Sequence, residues 1–127
     1  MLREAAITSF LASTDLPRAR AFFEGLLGLE VISLDGFALL LRGANGSIRV
    51  TRVENVANAP YTVLGWDVRD IRSTALALGE RGLTFARYPG MEQDELGIWT
   101  APGGSQIAWF RDPDGNVLSI AQHPRAQ

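Results

Sequence analysis

The chain has 127 residues, 46% of them hydrophobic and 20% charged, with a formal net charge of −2. This balance fits one compact domain with its own core, and the scattered arginines argue against the basic surface that binds nucleic acid. The absence of Lys and Cys excludes Schiff-base and thiol chemistry, and the absence of a long apolar run or leader-like segment leads us to expect a cytoplasmic protein without membrane contact.

The first half of the chain predicts a strand, a helix and three more strands. An apolar run at 5–12 precedes Asp15, a capping residue, and Pro17 then falls in the first helical turn. Apolar side chains recur from Leu16 to Leu27 at helical spacing, and Gly28 follows where a helix commonly ends. The predicted strands after it are 29–33, 37–42 and 47–53, separated by turns at 35–36 and 44–46.

The second half repeats this order after a connector at 56–60. An apolar run at 61–68 leads to Asp70, and a helical stripe from Ile71 ends at Gly82. Candidate strands follow at 83–87, 96–101, 105–111 and 116–121. We therefore expect an α+β fold of two tandem βαβββ modules, whose curved mixed sheets surround a cleft. The domain would span 1–127, with module one at about 1–55 and module two at about 61–123.

Three segments resemble the vicinal oxygen chelate superfamily of glyoxalases, bleomycin-resistance proteins and extradiol dioxygenases. They are TDLPRARAFFEGLLGLEV, ALALGERGLTF and FRDPDGNVLSI, and in this order they cover most of the chain. The resemblance implies the two-module fold and a homodimer. In enzymatic members it also implies a divalent metal, held by four strand positions that usually carry His, Glu or Gln.

The residues at the four implied metal positions are weak ligands or none. Thr8 and Val63 each stand seven residues before a helix-opening aspartate, and Ser119 stands three after Asn116. The remaining position falls on Arg49 or Thr51. Valine has no lone pair, hydroxyls bind divalent ions weakly, and a guanidinium repels them. We therefore predict a cleft without a metal or other cofactor.

Other residues are candidates for binding a small molecule. Phe10 would share the cleft face with Thr8, and Arg49 would either pair with a ligand carboxylate or phosphate, or be solvated. Trp99 and Trp109 would either line a pocket or fill the core.

The polar interval at 88–95 is a surface loop or a lid. Its carboxylates Glu92, Asp94 and Glu95 are either solvated or a substitute site for a metal or for acid–base chemistry. His123, the only histidine, is expected in a frayed terminus, with metal ligation or a role as a general base as the alternative.

Three functions remain open. The first is metal-free binding of a small molecule, for which bleomycin itself is disfavoured by the near-neutral charge and by Arg49. The second is a metal-dependent lyase, isomerase or dioxygenase that uses displaced ligands such as Glu92, Glu95 or His123. The third is a scaffold or regulatory module. We favour the first, with a small-molecule ligand and a second copy of the chain as partners.

Overall fold

The computed structural model describes residues 1–125, which form two compact units. The first unit comprises Met1–Asn58 together with Asp112–Asn116, and the second comprises Ala59–Arg111 together with the chain from Val117 onward. Each unit has the order strand, helix, three strands. The α+β class and the mixed sheets predicted from the sequence are confirmed.

The first unit is a four-stranded mixed sheet with one helix. Strand β1 is parallel to β4, and the remaining pairs are antiparallel, in the order β1-β4-β3-β2. The elements are β1 (Ile7–Ser13), α1 (Leu16–Arg20, continued as a π-helix over Ala21–Leu26), β2 (Val31–Leu34), β3 (Ala38–Arg42) and β4 (Gly46–Arg52).

The widened second part of the first helix corrects the prediction of a regular α-helix from Leu16 to Leu27. The Leu27 N–H donates to the Phe22 carbonyl at 3.0 Å, five residues back. Phe22 and Phe23 are adjacent in sequence and both buried, with their rings edge to face at 5.1 Å. Both rings therefore pack in the core from the widened turn. The helix still ends at Gly28, whose φ is 77°.

Alternation along β1 and β4 separates the core from the open face of the first sheet. Leu11 and Val50 are buried beneath the helix, whereas Phe10 and Arg49 on the other face are exposed. This period of two confirms the predicted faces of β1, and β4 follows the same alternation.

The second unit has the same arrangement. Strand β5 is parallel to β8, and the sheet order is β5-β8-β7-β6. The residues Ile71, Ala75 and Leu78 form the buried stripe of its helix, and Trp66 stacks on Phe110 at 6.4 Å between ring centroids. The elements are β5 (Leu64–Asp67), α2 (Ile71–Glu80), β6 (Trp99–Thr100), β7 (Gln106–Arg111) and β8 (Val117–Gln122).

Two strands predicted in this half are wrong or shortened. The segment 83–87 is not a strand, and the predicted strand 96–101 is reduced to Trp99–Thr100. Ala86 donates one backbone hydrogen bond to Trp109, at 2.8 Å. Beyond it, the side-chain amide of Gln93 bonds to the backbone of Ala86 and Tyr88. A side chain therefore satisfies backbone groups that a strand would have paired.

The two helices begin where the sequence predicts. The carboxylates of Asp15 and Asp70 accept hydrogen bonds from the N–H groups of Arg18 and Ser73, at 3.0 and 3.1 Å. Both are N-caps of the expected type. Within residues 1–125, no helix combines the length and the apolar character needed to cross a membrane.

Candidate functional site

The open face of the first sheet carries all four candidates predicted in this half. Thr8 and Phe10 lie on β1, and Arg49 and Thr51 lie on β4. Phe10 is opposite Arg49 in the parallel pairing, and the Thr8 and Ser47 hydroxyl oxygens are 3.4 Å apart. Phe10 is 66% exposed. This face therefore presents an aromatic ring beside a cation and hydroxyl groups.

Arg49 is exposed and forms no ion pair with any residue that the structure describes. Its positive charge affects the pKa of the Asp35 carboxyl. Hydrogen bonds from the backbone N–H groups of Phe37 and Ala38 lower the pKa of the Asp35 carboxyl, and Arg49 adds a smaller effect in the same direction. The Arg49 guanidinium is therefore free to pair with an anionic group of a ligand.

Strand pairing gives Arg49 and Ser119 equivalent places in their two sheets. Phe10 stands five residues before Asp15 and pairs with Arg49, and Gly65 stands five residues before Asp70 and pairs with Ser119. Arg49 thus has the same place in the first sheet as Ser119 has in the second. Thr51, two residues further along β4, does not have this place.

The donors at the implied metal positions do not fit a divalent cation. In the first unit these positions hold Thr8 and Arg49, and in the second they hold Val63 and Ser119. Neither unit supplies an imidazole or a carboxylate there, and Arg49 adds a positive charge. In the described part of the chain, no group of three or more His, Cys, Asp or Glu side chains could hold a metal ion.

Ser119 is a buried residue of β8, between two residues with which it is paired. It is opposite Gly65 on β5 and Trp109 on β7, and it is 9% exposed. A Cβ atom at Gly65 would lie 2.6 Å from the Ser119 Oγ. The missing side chain of Gly65 therefore provides the space that the hydroxyl occupies.

Three half-buried aromatic rings, Tyr88, Trp99 and Trp109, form what we call the aromatic cluster of the second unit. The Trp109 ring is 5.7 Å from Tyr88 at 84°, and 6.1 Å from Trp99 at 37°. Trp99 pairs with Ile107, so it shares a face with Trp109, two residues further along β7. Tyr88 lies in a loop whose sequence carries no periodic signal, which is why sequence analysis missed it.

The aromatic cluster borders a cavity of about 730 Å³ that belongs entirely to the second unit. Residues 88–94 and 98–100 line it, including Tyr88 and Trp99, while Trp109 supports both rings from behind. Trp99 is therefore a cavity-lining residue, and Trp109 acts through its ring contacts. Of the two predicted alternatives, lining a pocket applies to Trp99, whereas Trp109 is half-buried and does not line this cavity.

The loop at 88–95 is held in place by two of its own side chains. The Gln93 amide accepts from the Tyr88 N–H at 2.8 Å and donates to the carbonyls of Ala86 and Gly97. Asp94 Oδ1 accepts from two further backbone N–H groups, each at 2.9 Å. The predicted surface loop thus forms one wall of the cavity, and these side-chain hydrogen bonds hold it.

The three carboxylates of this loop do not converge on one point. Arg72 donates to Glu95 at 2.5 Å and is 3.7 Å from Asp94. The hydrogen bond from Arg72 lowers the pKa of the Glu95 carboxyl. Glu92 is exposed and lines the cavity. Two of the residues proposed as a substitute metal or acid–base site are therefore engaged by a cation.

His123 is not in a frayed terminus, which corrects the sequence-based expectation. Its Nδ1 is 2.8 Å from the Ser105 hydroxyl, and its Nε2 is 3.2 Å from Asp67 Oδ1. Strand β8 continues to Gln122, so His123 lies directly after the end of an inner strand. The partners are 18 and 56 positions away in sequence, so no local signal predicts them.

The repeated strand–helix–sheet unit with an open sheet face is the architecture of a known superfamily. A sequence model described as the Glyoxalase/Bleomycin resistance protein/Dioxygenase superfamily matches residues 6–120, and the chain belongs to that superfamily. No curated protein sequence matches the chain.

Solved structures agree on the fold. A putative glyoxalase family protein from Bacillus anthracis has a TM-score of 0.74 at 16% identity, covering 95% of this chain and 96% of its own. A superfamily member from Sphaerobacter thermophilus has a TM-score of 0.72 at 20% identity, covering 97% and 100%. A lactoylglutathione lyase from Agrobacterium tumefaciens has a TM-score of 0.71 at 16% identity, covering 94% and 93%.

Proposed function

We propose that this protein binds a small organic molecule without a metal ion, at the cavity beside the aromatic cluster. The observation that carries the proposal is a cavity of about 730 Å³ walled by Tyr88 and Trp99. Its volume lies in the range of about 300–1,000 Å³ that is typical of sites for small ligands, and two of its lining residues are aromatic. The tilted Trp99 ring offers a surface on which a flat ligand stacks.

The fixed loop supports the same proposal. Gln93 and Asp94 hold the wall through backbone hydrogen bonds, so little additional ordering is needed when a ligand enters. The exposed carboxylate of Glu92 lies at this wall and disfavours an anionic substituent there. The ligand class is therefore a flat, neutral or cationic organic molecule.

In the first unit, the face formed by Thr8, Phe10, Arg49 and Thr51 is a candidate binding surface by itself. An anionic molecule, different from the ligand of the cavity, would pair its carboxylate or phosphate group with the Arg49 guanidinium there.

A thermal-shift screen with flat aromatic compounds tests the proposal. A ligand present at about 100 times its dissociation constant stabilises the folded state by about 2.7 kcal/mol. We expect at least one neutral or cationic compound to do so, and Trp99→Ala to abolish the effect. Tyr61→Ala is the matched control, because Tyr61 is an aromatic of the same unit that is 67% exposed and does not line the cavity. Stabilisation that survives Trp99→Ala contradicts the assignment of this cavity.

A second copy of the chain is the partner that we propose. Ile7 and Phe10 are 72% and 66% exposed on β1, which is the end strand of its sheet. Exposed apolar side chains on an end strand favour pairing with another protein surface. Light scattering should give the mass of a dimer, and Phe10→Glu should shift it towards the monomer. A monomeric mass at all concentrations contradicts this proposal.

A further inference from the structure

A cluster of three side chains lies outside the cavity of the aromatic cluster. Ser105, His123 and Asp67 are linked by the two contacts of the imidazole, 2.8 Å to the serine Oγ and 3.2 Å to the carboxylate. We call them the Ser105–His123–Asp67 triad. All three belong to the second unit.

The sheet itself brings these residues together. Asp67 is the last residue of β5, which is parallel to β8, and His123 directly follows β8. Ser105 directly precedes β7, which runs antiparallel on the other side of β8. The end of β5, the end of β8 and the start of β7 therefore lie side by side at the same end of the sheet. His123 follows β8, which is the middle one of these three strands. Residues at the ends of paired strands are held more precisely than residues in free loops.

We infer that the triad is a nucleophile, base and orienting carboxylate for acyl transfer from small esters. A hydroxyl within hydrogen-bond reach of an imidazole, which is in turn held by a third group, is the arrangement that activates a serine. The carboxylate of Asp67 orients the ring and stabilises the imidazolium that forms. Here Nδ1 faces the serine and would take its proton, while Nε2 faces the Asp67 carboxylate.

The reaction balances without a metal or a redox partner. Ser105 Oγ forms a bond to the ester carbonyl carbon, and its proton passes to His123. The bond from that carbon to the alcohol oxygen breaks, and the leaving oxygen takes the proton from the imidazolium. The water oxygen then forms a bond to the carbonyl carbon of the acyl-serine while His123 takes a proton from the water. The bond from that carbon to Ser105 Oγ breaks, and the serine oxygen takes the proton from the imidazolium. The products are one carboxylic acid and one alcohol.

The surroundings of the triad indicate the class of ester. The side chains of His123 and Asp67 are 53% and 79% exposed, so a substrate reaches them directly from solvent. A cavity of about 370 Å³ beside the imidazole is lined by Arg69 and Arg125, neither of which forms an ion pair with a described residue. Two cations favour an ester that carries a carboxylate. Because the site is exposed to water, it suits esters with good leaving groups rather than amides.

Hydrolysis of mono-p-nitrophenyl succinate in the presence of EDTA tests the inference. We expect His123→Gln to lower kcat/KM by about 100-fold, the effect typical of a lost acid–base partner, and Ser105→Ala, which removes the nucleophile, to lower it at least as much. Ser33→Ala is the control, because Ser33 is an exposed strand serine in the first unit and should keep the full rate. Arg125→Gln should raise KM for the succinate ester but not for uncharged p-nitrophenyl butyrate.

Covalent labelling gives a second measurement that does not depend on turnover. A fluorophosphonate probe should add once to Ser105, with loss of fluoride, and His123→Gln should abolish the adduct. Mass spectrometry of the peptides locates the label. The inference is overturned if the wild-type protein hydrolyses no ester above the buffer rate, or if Ser105→Ala retains the wild-type rate. Labelling at another residue also overturns it. None of these outcomes depends on the aromatic cavity, so the proposed function is tested separately.

Discussion

The guanidinium of Arg18 donates to the Asp114 carboxylate at 2.6 Å, across 96 positions of sequence. The same oxygen accepts from the Thr14 N–H at 2.9 Å and from the Thr14 hydroxyl at 3.1 Å. Asp114 lies in the turn Asp112–Asn116, which is part of the first unit although it joins two strands of the second. The Asp-Pro-Asp-Gly motif therefore does more than form a hairpin turn, because its second aspartate hydrogen-bonds to residues at the start of the first helix.

Asp114→Ala should destabilise the protein by about 2 kcal/mol, because the side chain is only 2% exposed and hydrogen bonds to a charged group contribute about 1.5–3 kcal/mol. Urea unfolding measures the change. Glu30→Ala removes a carboxylate whose pair with Arg42 is exposed on both sides, and it should cost less than about 0.5 kcal/mol. Equal effects of the two substitutions would contradict the stabilising role of the Asp114 hydrogen bonds.

The stability that Asp114 contributes should depend on pH. Burial opposes the charge of this carboxyl and is the largest influence, but the Ser13 hydroxyl, both Thr14 donors and the charge of Arg18 together lower its pKa below the ordinary 3.8. A group with a lowered folded-state pKa stabilises the protein above its unfolded pKa, and this contribution is lost as pH falls through the folded value. The difference in unfolding free energy between wild type and Asp114→Ala should therefore be constant near neutrality and shrink below about pH 4. A difference that grows in acid would refute this.

Gly46→Ala should be strongly destabilising, by about 3 kcal/mol. A Cβ atom at this position would lie 1.8 Å from the Ile7 carbonyl oxygen, which is backbone and has no rotamer to adopt. Gly36→Ala is the matched control, since a Cβ there meets no atom within 4 Å. Its effect should stay within about 0.5 kcal/mol. Thermal unfolding compares the two, and similar melting temperatures would contradict the parallel contact between β1 and β4.

Gly65→Ala and Ser119→Ala should be coupled. The alanine methyl at 65 would lie 2.6 Å from the Ser119 Oγ, so removing that oxygen should relieve part of the strain. A double-mutant cycle in urea should give a favourable coupling of about 1 kcal/mol. Strictly additive effects would show that the hydroxyl is not over Gly65.

Divalent metals should not stabilise the protein. Thr8, Arg49, Val63 and Ser119 offer no imidazole or carboxylate, so Ni²⁺, Zn²⁺ or Mn²⁺ added after EDTA treatment should leave Tm unchanged. Elemental analysis of the purified protein accompanies the titration. Stoichiometric binding that raises Tm would favour the alternative of a metal-dependent lyase, isomerase or dioxygenase.

Much of the fold is predictable because its signals are local. Asp15 and Asp70 cap helices through bonds that span three residues, and the alternation around Phe10 and Leu11 reads directly as two faces of a strand. The duplicated order of elements follows from these signals. The strand predicted at 83–87 was wrong because the Gln93 side chain, several residues later, satisfies the backbone that a ladder would have used.

The sequence alone therefore determined the class of fold, the helix starts and the outward-facing residues of the strands, since each depends on neighbours along the chain. Only the tertiary structure decided that Arg49 rather than Thr51 corresponds to Ser119, because strand register is a property of paired strands. Only the tertiary structure could place His123 between Ser105 and Asp67, or Tyr88 against Trp109. Such contacts join residues from separate elements, and their geometry is set by the sheet order rather than by any local pattern.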